Sequence, residues 1–454
     1  MLILLLNPPN KNLSLRDQYC SFSSKSKYYW PPIDLLIQSG ILSTKHEVVA
    51  FDAIVEKSTD NQCLEYIKKI NPDIILAVTG VSSYCGDFSF FDKVKRSIET
   101  KIFLSGGFLL TEYEAIMKKY NFIDGVLLNF ASKALLDFTE NKHQIQNLAY
   151  RVEGKIFAEY SSMQNVSYPI PKHNLFNLSK YKLPHGKGGL FSCVITSYGC
   201  PYECKFCIAQ NIKYRSRSIM DIVEEILFLK SLGVNEIFFK DFTFTVNKEY
   251  TKNLCLELKK LNISWICATR VDLVDDELIG IMKDAGCHTI QFGVETPTKN
   301  ILEKYKDGIS VEDIELAFEL CRKHKIKTLG HFILGLPGDT EDSIENTIDF
   351  AKKIRCDYAS FNIATPLYGT ELRNECQQDY LLMKDNVELD LSSGDSIINT
   401  SYLSPDKLKR LKKKAYRNFY FRPTYILRKI IYVSSLKEFV VLLREGLGIL
   451  KNNL

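Results

Sequence analysis

Three cysteines stand within eight residues of one another in the stretch Thr196-Ser-Tyr-Gly-Cys200-Pro-Tyr-Glu-Cys204-Lys-Phe-Cys207. Three thiolates on so short a loop can converge on one metal centre, and soft thiolates suit zinc or iron–sulfur sites. A structural zinc ion would need a fourth ligand, usually from a second Cys or His pair at short spacing. None follows, since the next cysteine is Cys255. A three-cysteine site with one open corner points instead to a cluster whose remaining iron is free to bind a substrate or cofactor. The chain holds 13 cysteines, an odd number, and the others are spaced singly. Cys193, Cys255, Cys267, Cys287, Cys321 and Cys356 fall on predicted strands or helices, where a free thiol behaves as a small hydrophobe. No second group of three or four appears, so no auxiliary cluster is expected. Cysteines used this way imply a reducing, cytoplasmic setting and not a secreted disulfide framework.

The elements that position the loop are legible as two strand–helix series. Apolar runs at Phe191–Ser197, Glu236–Lys240, Ser264–Ala268, Thr289–Val294, Thr328–Leu334 and Tyr358–Ala364 alternate with helical segments Met220–Leu232, Lys248–Leu261, Asp275–Ala285, Lys299–Tyr305, Val311–Lys323 and Glu341–Ile354. Six βα repeats predict a (β/α)6 partial TIM barrel over 189–372, with its active site at the carboxyl ends of the strands, where the cysteine loop falls. Upstream, Leu2–Leu6, His46–Phe51, Asp73–Val78, Lys101–Leu104 and Gly125–Leu128 alternate with helix-length segments, the pattern of a doubly wound, Rossmann-like parallel sheet over 1–145. Ligands of such sheets sit beyond the strands' carboxyl ends, here Asn7-Pro8-Pro9, Thr79-Gly80-Val81-Ser82-Ser83 and Ser105-Gly106-Gly107. Gly and Pro also simply end strands. No G-x-G-x-x-G follows the first strand, which argues against nicotinamide or flavin. A hairpin around Glu153-Gly154 opens a linker over 146–188, and a basic helical region is expected over 373–454.

At 454 residues, of which 45% are hydrophobic and 25% charged, the chain has ordinary globular composition and length for two to four domains. Its net charge of +5 names no polyanionic partner, but from Ser401 to Leu454 thirteen Lys and Arg face three acids. The run Lys407–Arg417 reads as a solvated helix face, and Ile426–Leu450 as an amphipathic segment that either packs on the barrel or lies on a membrane surface. Met1–Leu6 reads as a buried strand, because Asn7-Pro8-Pro9 ends it and neither a basic leader nor a small-residue cleavage site is present. No uncharged run reaches 18 residues, so no spanning helix is predicted.

The spacing C-x-x-x-C-x-aromatic-C, just after the first strand of a six-fold βα series, resembles the signature of the radical S-adenosylmethionine (SAM) superfamily. The resemblance implies that Cys200, Cys204 and Cys207 hold a [4Fe-4S] cluster and that SAM chelates the fourth iron through its amino and carboxylate groups. One electron from the cluster would then cleave SAM to methionine and a 5′-deoxyadenosyl radical. By the same resemblance Phe206 lies near the adenine, and Lys240-Asp241 near the SAM amino group. Ala268-Thr-Arg270-Val-Asp272 and Gln291-Phe-Gly293-Val-Glu295-Thr296 resemble the third and fourth strand ends, where Arg270 and Glu295 would bind SAM or form a structural ion pair. Gly330-His-Phe-Ile-Leu-Gly335 resembles the fifth-strand motif whose backbone approaches the adenine, with His331 a core or rim residue.

The whole chain, including Leu5-Leu6-Asn7-Pro8-Pro9 and Ala415-Tyr-Arg-Asn-Phe-Tyr-Phe-Arg-Pro423, is similar to radical SAM proteins with a cobalamin-binding domain. That implies cobalamin held through Thr79, Ser82, Gly106 and Gly107. The likeness breaks at two places. No D-x-H-x-x-G offers a histidine to cobalt, and Asp124-Gly-Val-Leu-Leu-Asn-Phe-Ala131 stands where the family reads Gly-Glu-x-Glu. The expected function is cobalamin-dependent methylation of an unactivated carbon in a small or medium metabolite. The alternative is a cobalamin-independent radical dehydratase, cyclase or rearrangement enzyme with a degenerate first domain, and a third reading is a non-catalytic iron–sulfur or zinc protein. The expected electron donor is a flavodoxin or ferredoxin. The basic tail allows peripheral membrane contact, and the lack of an RNA-binding module argues against nucleic acid. The sequence identifies no catalytic acid or base.

Overall fold

The computed structural model describes residues 1–24, 28–142, 144–161, 166–306, 308–379, 381–383, 388–390, 396–400 and 402–431. The first part of the chain runs β1 (Leu2–Asn7), β2 (Ser14–Arg16), β3 (Ser21–Ser23), α1 (Ile33–Leu42), β4 (Glu47–Asp52), α2 (Asp60–Ile70), β5 (Ile74–Val78), α3 (Tyr84–Ser97), β6 (Lys101–Ser105), α4 (Leu109–Lys119), β7 (Gly125–Leu127), α5 (Ala134–Thr139), β8 (Leu148–Val152) and β9 (Lys155–Glu159). These strands form one sheet in the order β4-β1-β5-β6-β7-β8-β9, with β2 and β3 a separate antiparallel pair. From β4 through β7 it is parallel. Alternation along β1 shows why it is buried on both faces: Ile3 and Leu5 join the core that holds α1 and α5, while Leu4 and Leu6 join the core beneath α2, α3 and α4. Asn71, with φ of 45°, ends α2 in the left-handed conformation that asparagine tolerates.

Two features correct the sequence-based expectation. The hairpin that was to open the linker at 146 is β8 and β9, which extend the first sheet in antiparallel fashion as far as Glu159. The β2–β3 pair has no counterpart in the sequence pattern, because three-residue strands rich in serine carry no periodicity.

The second part runs β10 (Phe191–Val194), β11 (Ser197–Tyr198), β12 (Arg215–Ser216), α6 (Ile219–Ser231), β13 (Glu236–Phe239), α7 (Lys248–Leu261), β14 (Ser264–Thr269), α8 (Asp276–Asp284), β15 (Cys287–Glu295), α9 (Lys299–Tyr305), α10 (Val311–Lys323), β16 (Lys327–Leu334), α11 (Glu341–Lys353) and β17 (Tyr358–Ile363). Its sheet is six parallel strands in the order β10-β13-β14-β15-β16-β17, the expected open barrel. Capping boxes at Ser310/Asp313 and Thr340/Ser343 start α10 and α11. At the amino-terminal end the linker closes the barrel: the Lys187 N–H donates to the Glu236 carboxylate at 2.9 Å, and the His185 ring stacks on Tyr358 with centroids 3.7 Å apart.

An open barrel has an exposed strand edge, and the described C-terminal helices cover it. After α12 (Glu371–Gln378), α13 (Pro405–Tyr420) and α14 (Pro423–Ile431) follow. Leu408, Leu411, Ala415 and Phe419 bury one stripe of α13, while Lys407 pairs with Glu341 at 2.5 Å on its basic side. Tyrosine hydroxyls replace the missing ladder along β17. Tyr420 accepts from Ala359 N–H at 2.9 Å and donates to its carbonyl at 2.8 Å, Tyr416 accepts from Phe361 N–H at 3.3 Å, and Tyr425 donates to the Asp357 carbonyl at 2.9 Å. Tyr420→Phe leaves a strand donor and acceptor without that partner and should cost about 1–3 kcal/mol, read as a lowered urea midpoint at unchanged slope. Packing on the barrel is made by α13 and Tyr425, while Ile426 and Leu427, the start of the segment expected to pack there, are exposed; residues 432–450 lie outside the described residues. Among the described residues no helix is long and apolar enough to cross a membrane.

Candidate functional site

The carboxyl ends of the two sheets face each other, and the cysteine loop lies between them. It leaves the barrel through β11 and returns through β12, which pair antiparallel and close it like a hairpin. Gly199 makes the bend at φ of 75°, and a side chain there would meet the Ile212 carbonyl at 2.4 Å. Cys200 N–H then donates to Ile212 O at 3.1 Å, and Cys207 N–H to Cys204 O at 2.9 Å. The middle is pinned from outside: Lys205 N–H donates to Tyr305 O at 3.0 Å, and Leu372 N–H to Lys205 O at 2.8 Å. Ala209 N–H points at the Cys207 sulfur at 3.4 Å, and the Thr243 hydroxyl lies 3.7 Å from that of Cys200. Burial, then the neighbouring Cys204 and Cys200 thiols, push the Cys207 thiol up to about 12. Neighbouring thiols on one loop become thiolates together only when a cationic centre offsets their charge.

Charged residues from the third and fourth strand ends ring this loop. Arg270 holds Asp272 through two bonds of 3.0 Å, lies 4.0 Å over the Tyr202 ring, and reaches within 3.8 Å of the Cys204 sulfur. Glu295 sits at φ of 64°, a strained position for a residue with a side chain, beside a register shift in β15. Its carboxylate pairs at 2.8 Å with Lys306, which also donates to Gly293 O at 2.7 Å. A Cβ at Gly293 would stand 2.4 Å from the Lys306 ammonium, so a side chain there would displace this pair. Lys306 is a residue that sequence reading missed: Lys304-Tyr-Lys306 at the end of α9 looks like surface charge, yet Lys306 is buried. Phe206 is half-buried against the cluster that contains Ile301, Leu336 and Leu372.

Other expected contacts are placed elsewhere. Lys240 turns toward the first domain, 3.2 Å from Asp17, 3.4 Å from the Cys20 sulfur and 5.1 Å above the Trp30 ring. Burial works against its charge, but Asp17, then Cys20 and Cys193, outweigh it and hold the ammonium above its ordinary value. Asp241 accepts from the Thr196 and Ser197 N–H groups at 3.0 and 2.7 Å and from their hydroxyls at 2.9 and 2.7 Å, so it braces the entry to the loop. Gly335, at φ of 85°, faces Leu408 of α13. In the first domain the Thr79 hydroxyl donates to Asp87 at 2.8 Å, and Ser82 pairs with Ser21 at 2.8 Å. Gly106 backs on the Thr79 carbonyl and Gly107 on that of Gln18.

Residues 194–351 match the family model described as the radical SAM superfamily. An uncharacterized methyltransferase of Pyrococcus horikoshii is 32% identical over 417 residues, 88% of this chain and 90% of that protein. The chain belongs to the radical SAM superfamily. Two solved radical SAM structures share its fold across both sheets. A methyltransferase of Kitasatospora setae, with cobalamin and a [4Fe-4S] cluster bound, superposes at a TM-score of 0.67, with 17% identity over 90% of this chain and 84% of its own. A cobalamin-dependent radical enzyme with aqua-cobalamin and SAM bound gives 0.71, with 15% identity over 99% and 72%.

The donor set of this radical SAM chain fits the superfamily's cluster. Among the described residues no three His, Cys, Asp or Glu stand close enough to ligate one ion. Three soft thiol donors on one loop, Cys200, Cys204 and Cys207, are the kind of set that an iron–sulfur cluster takes. The surrounding Arg270–Asp272 and Glu295–Lys306 pairs fit a zwitterion, since they present both signs of charge beside the open corner.

Proposed function

We propose that this radical SAM enzyme transfers a methyl group to an unactivated carbon of a small or medium metabolite, with a corrinoid between the two sheets. The observation that carries the reading is the facing of the sheets: the residues after the cysteine loop and the glycine pair after β6 meet across one narrow gap lined by Gly107, Phe108, Ile208 and Tyr368. A [4Fe-4S] cluster on Cys200, Cys204 and Cys207 supplies the electron that cleaves SAM reductively, and a corrinoid supplies a carrier for the methyl group. Two SAM, two electrons and one substrate C–H bond balance against methionine, 5′-deoxyadenosine, S-adenosylhomocysteine and the methylated product. The hydrogen gained by 5′-deoxyadenosine is the one the methyl group replaces.

This chain's own residues bind and orient. Arg270 and the Glu295–Lys306 pair hold the carboxylate and ammonium of SAM, and Phe206 closes against the adenine. Arg270→Lys keeps the charge but loses the two-pronged hold on Asp272. It should weaken SAM binding roughly ten- to a hundredfold, measured by calorimetry on cluster-loaded protein, in line with about 1.5–3 kcal/mol for bonds to charged groups. Inside the barrel, Gln291, His331, Ser360 and Asn362 line one face, with His331 Nε2 3.2 Å from the Gln291 amide oxygen and the Asn362 amide 3.3 Å from Ser360. Burial lowers the His331 pKa, so the ring is neutral near pH 7. We assign this face to an uncharged polar part of the substrate. The electrons come from a flavodoxin or ferredoxin in the cytoplasm, and the basic α13 allows peripheral membrane contact.

The test is an anaerobic assay of cluster-loaded protein with cobalamin, SAM and a reductant. Both 5′-deoxyadenosine and S-adenosylhomocysteine should form. Deoxyadenosine alone would favour dehydration, cyclisation or rearrangement.

A further inference from the structure

The first sheet ends in an open strand. Among the described residues no strand pairs beyond β9, so its outer edge lacks the second ladder that an inner strand has. Glu153 and Gly154, with φ of 48° and 78°, join β8 to β9 by a two-residue turn in which both residues are left-handed. The register that follows sets Tyr150 opposite Phe157 and Arg151 opposite Ile156. Arg151 N–H donates to the Asp124 carbonyl at 2.9 Å, on the side of β7 and away from β9. Antiparallel ladders alternate, so the N–H and C=O groups of Phe157 turn inward to β8 and those of Ile156 and Ala158 turn outward. Ile156 is half-buried, whereas Lys155, Phe157, Ala158 and Glu159 are exposed.

The side chains along this edge are self-complementary. Lys155, Phe157 and Glu159 share one face, with opposite charges at equal distances on either side of the phenylalanine. A second copy running antiparallel, with Phe157 opposite the partner's Phe157, brings Lys155 opposite the partner's Glu159 and Ile156 opposite the partner's Ala158. The outward N–H and C=O groups of these last two then meet, and the pairing repeats about the twofold axis. In-register parallel pairing would instead set like charges side by side. Charges on an edge commonly keep it from pairing, but here their signs attract the antiparallel copy. The aromatic row on this face leads to the same edge: Phe138 and Tyr150 meet edge to face at 5.7 Å, Tyr150 stacks on Phe157 at 5.9 Å, and Phe157 ends the row 47% exposed. The Glu159 carboxylate is held by the Gln146 amide at 3.2 Å.

We propose that β9 is a homodimer interface, through which two copies of this chain join their first sheets edge to edge. With 5 residues in the strand, the contact is smaller than a standard interface, so the dimer should dissociate on dilution. The proposal does not depend on what lies between the two sheets of one chain.

The experiment is sedimentation equilibrium of full-length, cluster-loaded protein over about a hundredfold range of concentration. It compares the native chain, Lys155→Glu, Glu159→Lys and the double exchange, with iron content as the check that each is folded. The native chain should form a concentration-dependent dimer. Each single exchange sets like charges opposite each other on both sides of the axis and should weaken the dimer at least about tenfold. The double exchange restores opposite charges and should return the affinity to within about threefold of the native value. A native chain that stays monomeric over the whole range, single exchanges without effect, or a double exchange that does not recover would each overturn the proposal.

Discussion

Replacing Cys200, Cys204 or Cys207 by alanine, one at a time, should lower 5′-deoxyadenosine formation at least about a thousandfold, a loss of about 4 kcal/mol in the barrier. Iron and sulfide content after anaerobic reconstitution should fall with it. The expectation follows from the loop's construction. Each thiol is fixed by its own backbone bonds, so no neighbour can move in to replace it. Cys255 and Cys321 are buried on α7 and α10 and are not part of the loop. Cys255→Ala and Cys321→Ala should keep full iron content. Iron retained by a Cys204→Ala chain, together with deoxyadenosine formation, would remove the assignment.

Arg16→Met should destabilise the first domain by about 3–5 kcal/mol, the usual result of leaving one partner of a buried ion pair alone. The pH dependence identifies the cause. Burial pushes the Asp87 carboxyl up to about 6 even with Arg16 opposing the shift. The folded chain therefore holds this proton more tightly than the unfolded chain, whose aspartate titrates near 3.9. This group thus contributes stability at low pH that is lost as pH rises from about 4 through 6. Without the guanidinium the folded pKa rises further, so the loss measured by urea unfolding should be larger at pH 8 than at pH 5. Adding Asp87→Asn should recover part of the stability at pH 8. An Arg16→Met loss that is the same at both pH values would show that the pair does not account for it.

The architecture was legible because burial on both faces forces continuous apolar runs, as in Leu2–Leu6 and Ile74–Val78, and because helix-length segments separate them. The cysteine loop was legible for a different reason: metal chemistry needs those residue types close in sequence. What sequence does not contain is side-chain direction. Lys240 and Asp241 end the expected strand, yet one reaches across to Asp17 and the other braces Thr196 and Ser197. Thr79 and Ser82 follow the expected strand, but whether their hydroxyls face a ligand or the chain depends on residues 14–23, a segment with no periodic signal. Lys306 was hidden for the same reason, since its partner Glu295 lies 11 residues away on another element. The tyrosines of α13 and α14 looked like ordinary apolar helix positions, and only the open edge of β17 gives their hydroxyls a purpose.

The most direct measurement follows the methyl group itself. Cluster-loaded protein, reductant and corrinoid are incubated with SAM carrying a deuterated methyl group and a metabolite extract, and products are separated by mass. The proposed function predicts a compound that gains the intact labelled methyl group on carbon, in step with S-adenosylhomocysteine and 5′-deoxyadenosine. Formation of 5′-deoxyadenosine with no labelled product and no S-adenosylhomocysteine would contradict methyl transfer.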